Sequence, residues 1–451
     1  MVDMDSMDVA ESALRALRGR APRYLLYGQY YDGDHRLAFA TDKFRNAFGS
    51  LFKTLADNLC PAVVDAVADR LRVVGFGVEE GPENAADSAW TIWQGNRMDR
   101  RSGEVHVEAL RSGDAYVIVW PDAGGQPRLY PQAGASMTVH YDEDLPGTID
   151  YAAKLWRMDD GRMRLNLYFP DRIEKYASRN KLDTIPDKAR VFEPYEVPGE
   201  PWPLPNPWGT VPVFHFANNA GVGHHGRSEL GDVVPVQDAL NKALADMLVA
   251  MEYVALPQRW ATGLEVDIDE ATGKPKVPFT PGVERVWAVG DAEVRFGQFD
   301  PANLEQFLAV QDSFRAEIAR VSGTPLHYLM LGGGEFPSGE AMRTAEARFL
   351  AKVEDRQLAF GNGWEDVLGL ALAMAGEPVA QLSTLWRDAT PRSAKEVAEV
   401  ALIKEQLGVS REQILKELGY SPEEIDRMAV EREATSAQLG EQMLSAFEKG
   451  E

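Results

Sequence analysis

Two different spacings of hydrophobic residues divide the chain into unlike parts. Between residues 75 and 221, short apolar runs separated by turn residues predict strands, for example at Ala115–Trp120, Leu165–Phe169 and Val211–Phe216. From residue 235 onward, apolar residues recur every three or four positions over long stretches, which predicts helices. A strand-rich part followed by a helical part is typical of an α+β protein.

Helices are also predicted before the strand-rich part. Residues 9–18 and 41–58 show helical spacing of apolar residues. From Pro61 to Arg72, apolar residues again recur at helical spacing, and Pro61 suits a first-turn position. Residues 198–212 are so rich in proline that we expect an extended connection there.

A strand-rich insert separates two of the long helices. In residues 235–256 one face is apolar, and Asp238, Lys242 and Asp246 follow the opposite face at a spacing of four, which favours ion pairs of alternating sign. A further helix is predicted over 302–321. The residues between them, 257–302, predict strands, with Val283–Val289 and Glu293–Phe299 as the main candidates.

A glycine-rich segment follows the second of these helices. Gly323 and Pro325 stop the helix, and the glycines at 332–334 exclude an assignment to regular structure. Ser338 is suited to cap a long helix that continues to about Ala375, with a kink expected at Gly361 and Gly363.

The tail of the chain is charged and is predicted to form short helices. They are expected at Ser393–Leu407, at Ser410–Leu418 and after Ser421, which is followed by a proline in the first helical position.

Composition and charge narrow the possible functions. The 451 residues exceed the size of a single hydrophobic core, so we expect at least two domains. Seventy acidic residues against 47 Lys and Arg give a net charge of −23, which opposes tight binding of nucleic acid but allows DNA to slide past without sticking. No apolar run approaches the roughly 20 residues of a membrane span, and the acidic N-terminus does not resemble a signal peptide. The single cysteine, Cys60, is consistent with synthesis in the cytoplasm.

The sequence shows no motif for catalysis or for cofactor binding. The glycines at 332–334 are followed by Glu335 and not by the Gly-Lys-Ser/Thr of a phosphate-binding loop. The pair His224-His225 lies on a glycine-flanked loop without metal-ligand spacing around it, and a solvated loop is the simpler interpretation. Asp142-Glu-Asp144 and Asp267-Ile-Asp269-Glu270 lack the spacing of a calcium loop. We therefore expect no enzyme, no cofactor and no metal.

The order of several short motifs resembles the portal protein family of tailed phages, in particular the branch from Gram-positive hosts. The resemblance extends over nearly the whole chain. The residues that carry it are Tyr30-Tyr-Asp-Gly-Asp-His35, Asn58-Leu-Cys-Pro-Ala-Val-Val-Asp65, Arg70-Leu71, Gly75-Phe76, Gly226-Arg-Ser-Glu-Leu230, Val234-Pro-Val-Gln-Asp-Ala-Leu-Asn-Lys242, Ser322-Gly-Thr-Pro325, Ser338-Gly-Glu-Ala341, Phe349, Lys352, Val353 and Arg356.

The resemblance implies a portal fold with a wing, a stem, a clip and a crown, in which long helices flank the β-rich clip. Its parts by position are the wing 1–226, the first stem helix 227–256, the clip 257–302, the second stem helix 303–322, the tunnel loop 323–337, the long wing helix and its connection 338–390, and the helical crown 391–451. It further implies a dodecameric ring of identical subunits at one capsid vertex of the virion, made in the host cytoplasm. Double-stranded DNA passes through such a ring, and the partners implied are the large terminase, the head–tail adaptor, and the major capsid and scaffolding proteins, with no membrane.

Two sets of site residues follow from the resemblance. The tunnel loop would present Leu326, His327, Tyr328, Leu329 and Met330 as its inner surface, followed by Gly332, Gly333, Gly334, Glu335 and Phe336. A buried loop between two helices is the alternative for this segment. The partner-binding surface of the clip would use Trp260, Lys274, Lys276, Phe279, Arg285 and Trp287, although its aromatic residues fit a small core within the clip equally well.

Three other classes of protein are possible on the sequence alone. A structural ring without DNA passage would share the acidity and the helices, but it has no need of a glycine-hinged loop. A hydrolase would require a nucleophile and a base at recognisable spacing. A nucleic-acid-binding module would require a basic patch larger than the short clusters at Arg15–Arg23 and Arg97–Arg101.

Overall fold

The computed structural model describes residues 5–35, 57–82, 84–145, 147–221, 225–255, 259–263, 268, 293–298, 304–330, 339–378, 380–390, 394–418, 420 and 424–432. Helices and strands alternate irregularly along these residues, which confirms the expected α+β class. The described helices are α1 (Ser6–Asp32), α2 (Cys60–Ala68), α3 (Ala85–Gly95), α4 (Met98–Ser112), α5 (Val234–Ala255), α6 (Glu305–Ser322), α7 (Gly339–Ala375), α8 (Ala394–Gln406) and α9 (Arg411–Glu417), and residues 424–432 are also helical.

The described strands form four small sheets. They are β1 (Val73–Glu80), β2 (Asp114–Pro121), β3 (Pro127–Ala133), β4 (Met137–Tyr141), β5 (Ile149–Arg157), β6 (Arg162–Tyr168), β7 (Arg172–Lys181), β8 (Phe192–Pro194), β9 (Leu204–Pro205), β10 (Val213–Ala217), β11 (Arg259–Thr262), β12 (Arg295–Gln298) and β13 (Gln381–Trp386). The largest sheet has the order β4-β5-β6-β7-β8, with β9 also paired to β7. The sheet β10-β2-β3 is the one that positions the site, and β1-β13 and β11-β12 are antiparallel pairs.

The main hydrophobic core lies between helix α7 and the elements of the N-terminal half. Trp364 on α7 packs edge-on against Trp93 on α3, with ring centroids 4.9 Å apart, and contacts Phe216 on β10. Gly363 permits this packing because a Cβ there would lie 2.9 Å from the Phe216 ring. Two smaller cores lie on either side of the largest sheet, one of them against α1.

Several elements differ from those expected from the sequence. Helix α1 is 27 residues long and not confined to 9–18, because Tyr24 and Tyr30 anchor its second half in buried positions beyond Pro22. Helices α3 and α4 lie within residues 75–221, where the apolar spacing predicted strands and gave no helix. Strand β13 lies in the connection after α7 and pairs with β1. The helix expected at 41–58 lies almost wholly outside the described residues.

The long helices of the C-terminal half match the sequence closely. Helices α5 and α6 pack against each other. In the insert between them, β11 pairs with β12, which confirms a strand at 295–298. Helix α7 continues through Gly361 and Gly363 to Ala375. In the tail, Ser410 caps α9 by accepting a hydrogen bond from the Gln413 amide, as its position predicts. The possible strand at 283–289 lies outside the described residues.

Candidate functional site at the base of the helix pair

The buried face of helix α5 is polar at its N-terminal end. Gln237 and Asn241 are fully buried and bind the chain just before helix α2. Oε1 of Gln237 accepts from the Leu59 amide at 3.0 Å, and Oδ1 of Asn241 accepts from the Asp57 amide at 3.2 Å. The Asn241 amide also lies 2.7 Å from Nδ1 of His35. These contacts bring three of the motifs quoted above together around the start of α5.

A buried cluster of charges ties the start of the helix pair to the long helix α7. Glu229 lies between Nζ of Lys352 at 2.5 Å and Nη2 of Arg356 at 3.2 Å, and it also accepts from Asn218 at 3.1 Å. Burial alone would raise the pKa of Glu229, but the two cations offset this effect and the pKa is lowered. Lys352 also donates to the carbonyl of Ser322 at 2.9 Å. Ser322 is the last residue of α6, where backbone carbonyls have no partner within the helix, and Lys352 supplies one.

A second polar cluster lies where α6 leads into the glycine-rich segment. Nη2 of Arg70 donates to the Tyr328 hydroxyl at 2.5 Å, and this hydroxyl donates to Oε1 of Glu346 at 2.8 Å. Nε2 of His327 lies 3.1 Å from the same carboxylate oxygen. The Arg70 guanidinium also lies over the Phe349 ring at 5.0 Å. Burial and the bond to Glu346 raise the pKa of Tyr328 to about 12, so the phenol stays protonated.

The structure divides the segment proposed as the inner surface of the tunnel loop. Leu326 is 42% exposed and Leu329 is buried in the main core, while His327, Tyr328 and Met330 are half-buried. The first part of the segment is therefore anchored against α7, as the alternative of a buried loop also requires. Gly332, Gly333, Gly334, Glu335 and Phe336 lie outside the described residues.

The described part of the insert contains one of the proposed clip residues. Trp260 on β11 is 39% exposed and lies across from Gly297 on β12, where a Cβ would come within 2.3 Å of the indole. Its indole therefore covers the glycine of the neighbouring strand. Lys274, Lys276, Phe279, Arg285 and Trp287 lie outside the described residues.

The pairing of Glu229 with α7 is the feature that sequence reasoning missed. Glu229, Lys352 and Arg356 each belong to a motif that carries the resemblance, but the order of the motifs does not show that these side chains contact one another. One signal was present: Lys352 and Arg356 are four residues apart, which places both cations on the same face of a helix. Two buried cations on one face require a carboxylate opposite them.

The chemistry of the described residues favours a structural role. Cys60 is fully buried, and burial raises the pKa of its thiol to about 12, which makes it a poor nucleophile. Glu229 and Glu346 are both engaged by neighbouring side chains. None of the described helices has the length and apolar character needed to span a membrane.

Comparison with known proteins agrees with this role. A family model described as phage portal protein, SPP1 Gp6-like, matches residues 18–438. The portal protein of Mycobacterium phage L5 is 28% identical over 385 residues, and that of Mycobacterium phage D29 is 29% identical over 384 residues. Each of the two alignments covers 81% of this chain and 76% of the relative.

Solved structures with a similar chain path come from gene transfer agent particles. A chain from the virion of the native particle has a TM-score of 0.46 and 13% identity, covering 82% of this chain and 90% of that one. A chain from the neck of the native particle, computed with C12 symmetry, has a TM-score of 0.45 and 12% identity, covering 85% of this chain and 95% of that one.

The family match extends over most of the sequence and confirms the resemblance drawn from the short motifs. This chain belongs to the phage portal protein family, whose members are structural proteins and not enzymes.

Proposed function

We propose that this chain forms a dodecameric ring at one vertex of a phage capsid, where the ring is the channel for packaging and ejection of double-stranded DNA. The ring docks the large terminase during packaging and the head–tail adaptor afterwards, and it contacts the major capsid and scaffolding proteins. The subunit is made in the host cytoplasm and is part of the virion. Family membership supports the proposal, and the arrangement of α5, the insert and α6 is the observation that carries it.

This arrangement has the parts that a channel subunit requires. The two helices pack side by side, and the insert at one end is closed by the pair β11-β12. The segment 323–330 leaves the other end and is anchored to α7 by the Tyr328 cluster. We assign the helices to the stem, the insert to the clip and the segment from residue 323 to 337 to the tunnel loop. The wing is then 1–226 with 338–390, and the crown is 391–451.

Exposed apolar residues on the helix pair favour assembly with further copies. Met251 on α5 is 45% exposed, and Leu308 and Val310 on α6 are 53% and 45% exposed. All three lie in the half of the pair that is next to the insert. Leu308 and Val310 are two residues apart on α6 and therefore lie on different faces of the helix, so the pair exposes apolar side chains on more than one side. Identical subunits that meet through two different faces form a ring when the rotation between them closes, so we assign these exposed side chains to contacts with the neighbouring subunits.

The net charge suits a passage for DNA. Twelve copies multiply the −23 of each chain, and a wall with this excess of carboxylates repels phosphates. DNA in such a channel releases few counterions and is held weakly. A motor can then move it without breaking strong contacts at each step.

The tunnel loop gives a direct test of the channel function. We would delete Gly332–Gly334 and, in a second variant of unchanged length, replace the three glycines by alanine. The deletion should leave ring assembly intact and reduce DNA packaging or DNA retention in particles built with the variant. The alanine variant distinguishes loop length from loop flexibility. Normal packaging and retention in the deletion variant would contradict a role of this loop in the channel, and a structural ring without DNA passage would then be favoured.

A further inference from the structure

A cavity of about 560 Å³ lies where α1, the start of β2, residues 225–232 and α7 meet. Asp114 and His225 line it, and His215 contacts Asp114 from the neighbouring strand. The channel function proposed above uses none of these three side chains. Together they are a carboxylate and two imidazoles, which are common ligands of divalent transition metals.

The three potential ligand atoms converge on one point. Oδ1 of Asp114 lies 2.8 Å from Nε2 of His215 and 3.8 Å from Nδ1 of His225. All three atoms lie within 4.8 Å of one another. Zinc bound tetrahedrally at about 2.0–2.2 Å from each ligand separates its ligands by about 3.3 Å. Small side-chain movements therefore bring the three atoms to bonding distance of one ion.

The backbone fixes where these side chains lie. Asp114 begins β2 directly after Gly113, whose φ of 101° favours glycine, and Ala217 of β10 lies opposite it, two residues from His215. The chain after His225 crosses Gly113 so closely that a Cβ on Gly226 would lie 1.9 Å from the Gly113 carbonyl oxygen. The Gly226 amide also donates to Oδ1 of Asp114 at 2.8 Å. This crossing holds His225 beside the carboxylate.

Neighbouring hydroxyl groups orient two of the potential ligands. The Tyr24 hydroxyl donates to Oδ2 of Asp114 at 2.6 Å and leaves Oδ1 directed at the histidines. The Tyr141 hydroxyl lies 2.8 Å from Nδ1 of His215, which directs Nε2 of that ring toward Asp114. Contacts of this kind to the far side of a ligand are typical of metal sites.

One nitrogen atom of the cluster has no hydrogen-bond partner in the part of the chain that the structure describes. Nδ1 of His225 is buried and has no hydrogen-bond partner there. Buried nitrogen atoms of this kind normally have a hydrogen-bond partner, because burial removes the hydrogen bonds that they would make with water. This nitrogen points to the same place as Oδ1 of Asp114, so a bound cation would pair it.

The charges of the cluster suit a cation. Asp114 offers a carboxylate to the ion, with Oδ1 within 4.8 Å of a nitrogen atom of each imidazole. An imidazole binds a metal ion in its neutral form, through the ring nitrogen that carries no proton. Arg20, which donates to Thr138 at 3.1 Å, opposes a cation nearby.

We propose that Asp114, His215 and His225 bind one divalent transition-metal ion of the zinc class, with a fourth position open to the cavity for water. The ion joins β2 and β10 to the segment that leads into helix α5. Its role is structural: it holds the start of the stem against the wing. The sequence pattern predicts no metal at His224-His225, because the other two ligands, Asp114 and His215, lie 111 and 10 residues before His225 along the chain.

The test uses the full-length protein, stripped with a chelator and re-equilibrated with zinc sulfate. Bound zinc is measured by mass spectrometry of the metal and by calorimetric titration, and cobalt is added separately to record the visible spectrum of a tetrahedral site. The variant His225→Ala removes one ligand, and His225→Phe keeps the ring volume in case alanine destabilises the fold. His140→Ala is the matched control, because His140 is exposed and lies outside the cluster.

We expect one zinc per subunit in the unchanged protein and in His140→Ala, and a loss of stoichiometric zinc in both His225 variants. Zinc should also raise the midpoint of thermal unfolding in the first two proteins and not in the others. Absence of stoichiometric zinc from the unchanged protein would overturn the proposal. Equal zinc binding by the His225 variants would overturn it as well, and neither outcome affects the channel function.

Discussion

The buried charge cluster around Glu229 gives a sharp prediction about stability. The substitution Glu229→Gln keeps the shape of the side chain and removes its charge, while Lys352 and Arg356 remain with side chains only 15% and 6% exposed. Removal of one partner from a buried ion pair costs about 3–5 kcal/mol, because the remaining charge is left without compensation. The glutamine oxygen still accepts one hydrogen bond and Arg356 keeps its ion pair with Asp355, so we expect a loss of about 3 kcal/mol in the free energy of unfolding, at the low end of that range.

The chain contains a matched control on the surface. Glu317 pairs with Arg320 on α6, and their side chains are 40% and 70% exposed. An exposed pair contributes about 0–1 kcal/mol, so Glu317→Gln should change the free energy of unfolding by no more than that. Urea unfolding followed by the fluorescence of the buried Trp93 and Trp364 measures both variants. Subunit concentration is kept equal, because assembly also stabilises the folded state.

Comparing Glu229→Gln with Glu317→Gln shows whether the buried charges stabilise the folded chain. If Glu229→Gln loses about as little stability as Glu317→Gln, the buried cluster does not stabilise the connection between the stem and α7. If Glu229→Gln is more stable than the unchanged protein, the cost of burying three charges exceeds their attraction. Either result would refute the reasoning about this cluster.

Three further predictions concern the same region. Gly226→Ala places a Cβ 1.9 Å from a backbone oxygen, so it should destabilise the protein by more than about 3 kcal/mol. Gly221→Ala is the control and should be nearly neutral, because nothing lies within 4 Å of its Cβ. Equal denaturation midpoints for the two variants would contradict this prediction. Tyr328→Phe removes a hydroxyl with two hydrogen bonds and should lower the free energy of unfolding in urea by about 1–3 kcal/mol. Tyr130→Phe, at a 40% exposed position, is the control and should change it little. A neutral effect of Tyr328→Phe would show that the cluster around Tyr328 adds no stability. Because the pKa of Glu229 is lowered on folding, the stability that its charge contributes is complete above the ordinary pKa of 4.5 and is lost as the pH falls through the pKa of the folded state. The difference in the free energy of unfolding between the unchanged protein and Glu229→Gln should therefore narrow in acid. A difference that does not depend on pH would contradict this prediction.

The long helices were predictable because their pattern is long. Over 235–256 and 302–321 the apolar spacing extends across several turns, and the structure has helices at Val234–Ala255 and Glu305–Ser322. Pro257 and Gly323 mark their ends in the sequence. The prediction of an apolar face on α5 was incomplete, since Gln237 and Asn241 are among its most buried residues.

The elements that were missed depend on distant contacts. Helix α4 buries His106 and Ser102 together with apolar residues, so its stripe is interrupted in the sequence. Trp364 donates a hydrogen bond to Nε2 of His106 at 2.9 Å, and that partner is 258 residues away. Strand β13 is short and pairs with β1, about 300 residues earlier in the chain. Local spacing does not report such pairings.

The candidate site was predictable in its parts and not in its contacts. Motif order located the Gly226-Arg-Ser-Glu-Leu230 segment, the Lys352 and Arg356 positions and the Ser322-Gly-Thr-Pro325 segment at the end of α6. It did not show that Glu229 bridges two of these segments or that Asp114 and His215 meet at a sheet edge. Both depend on how the strands β2 and β10 and the helix α7 pack, which is a property of the folded chain.

The most direct test of the central claim is the mass and symmetry of the purified assembly, measured by native mass spectrometry together with class averages from electron microscopy. We predict closed rings of about a dozen copies with an open centre, because subunits joined through two different faces close in this way. A compact closed dimer without a central opening, whose contact covers Met251, Leu308 and Val310, would contradict the account.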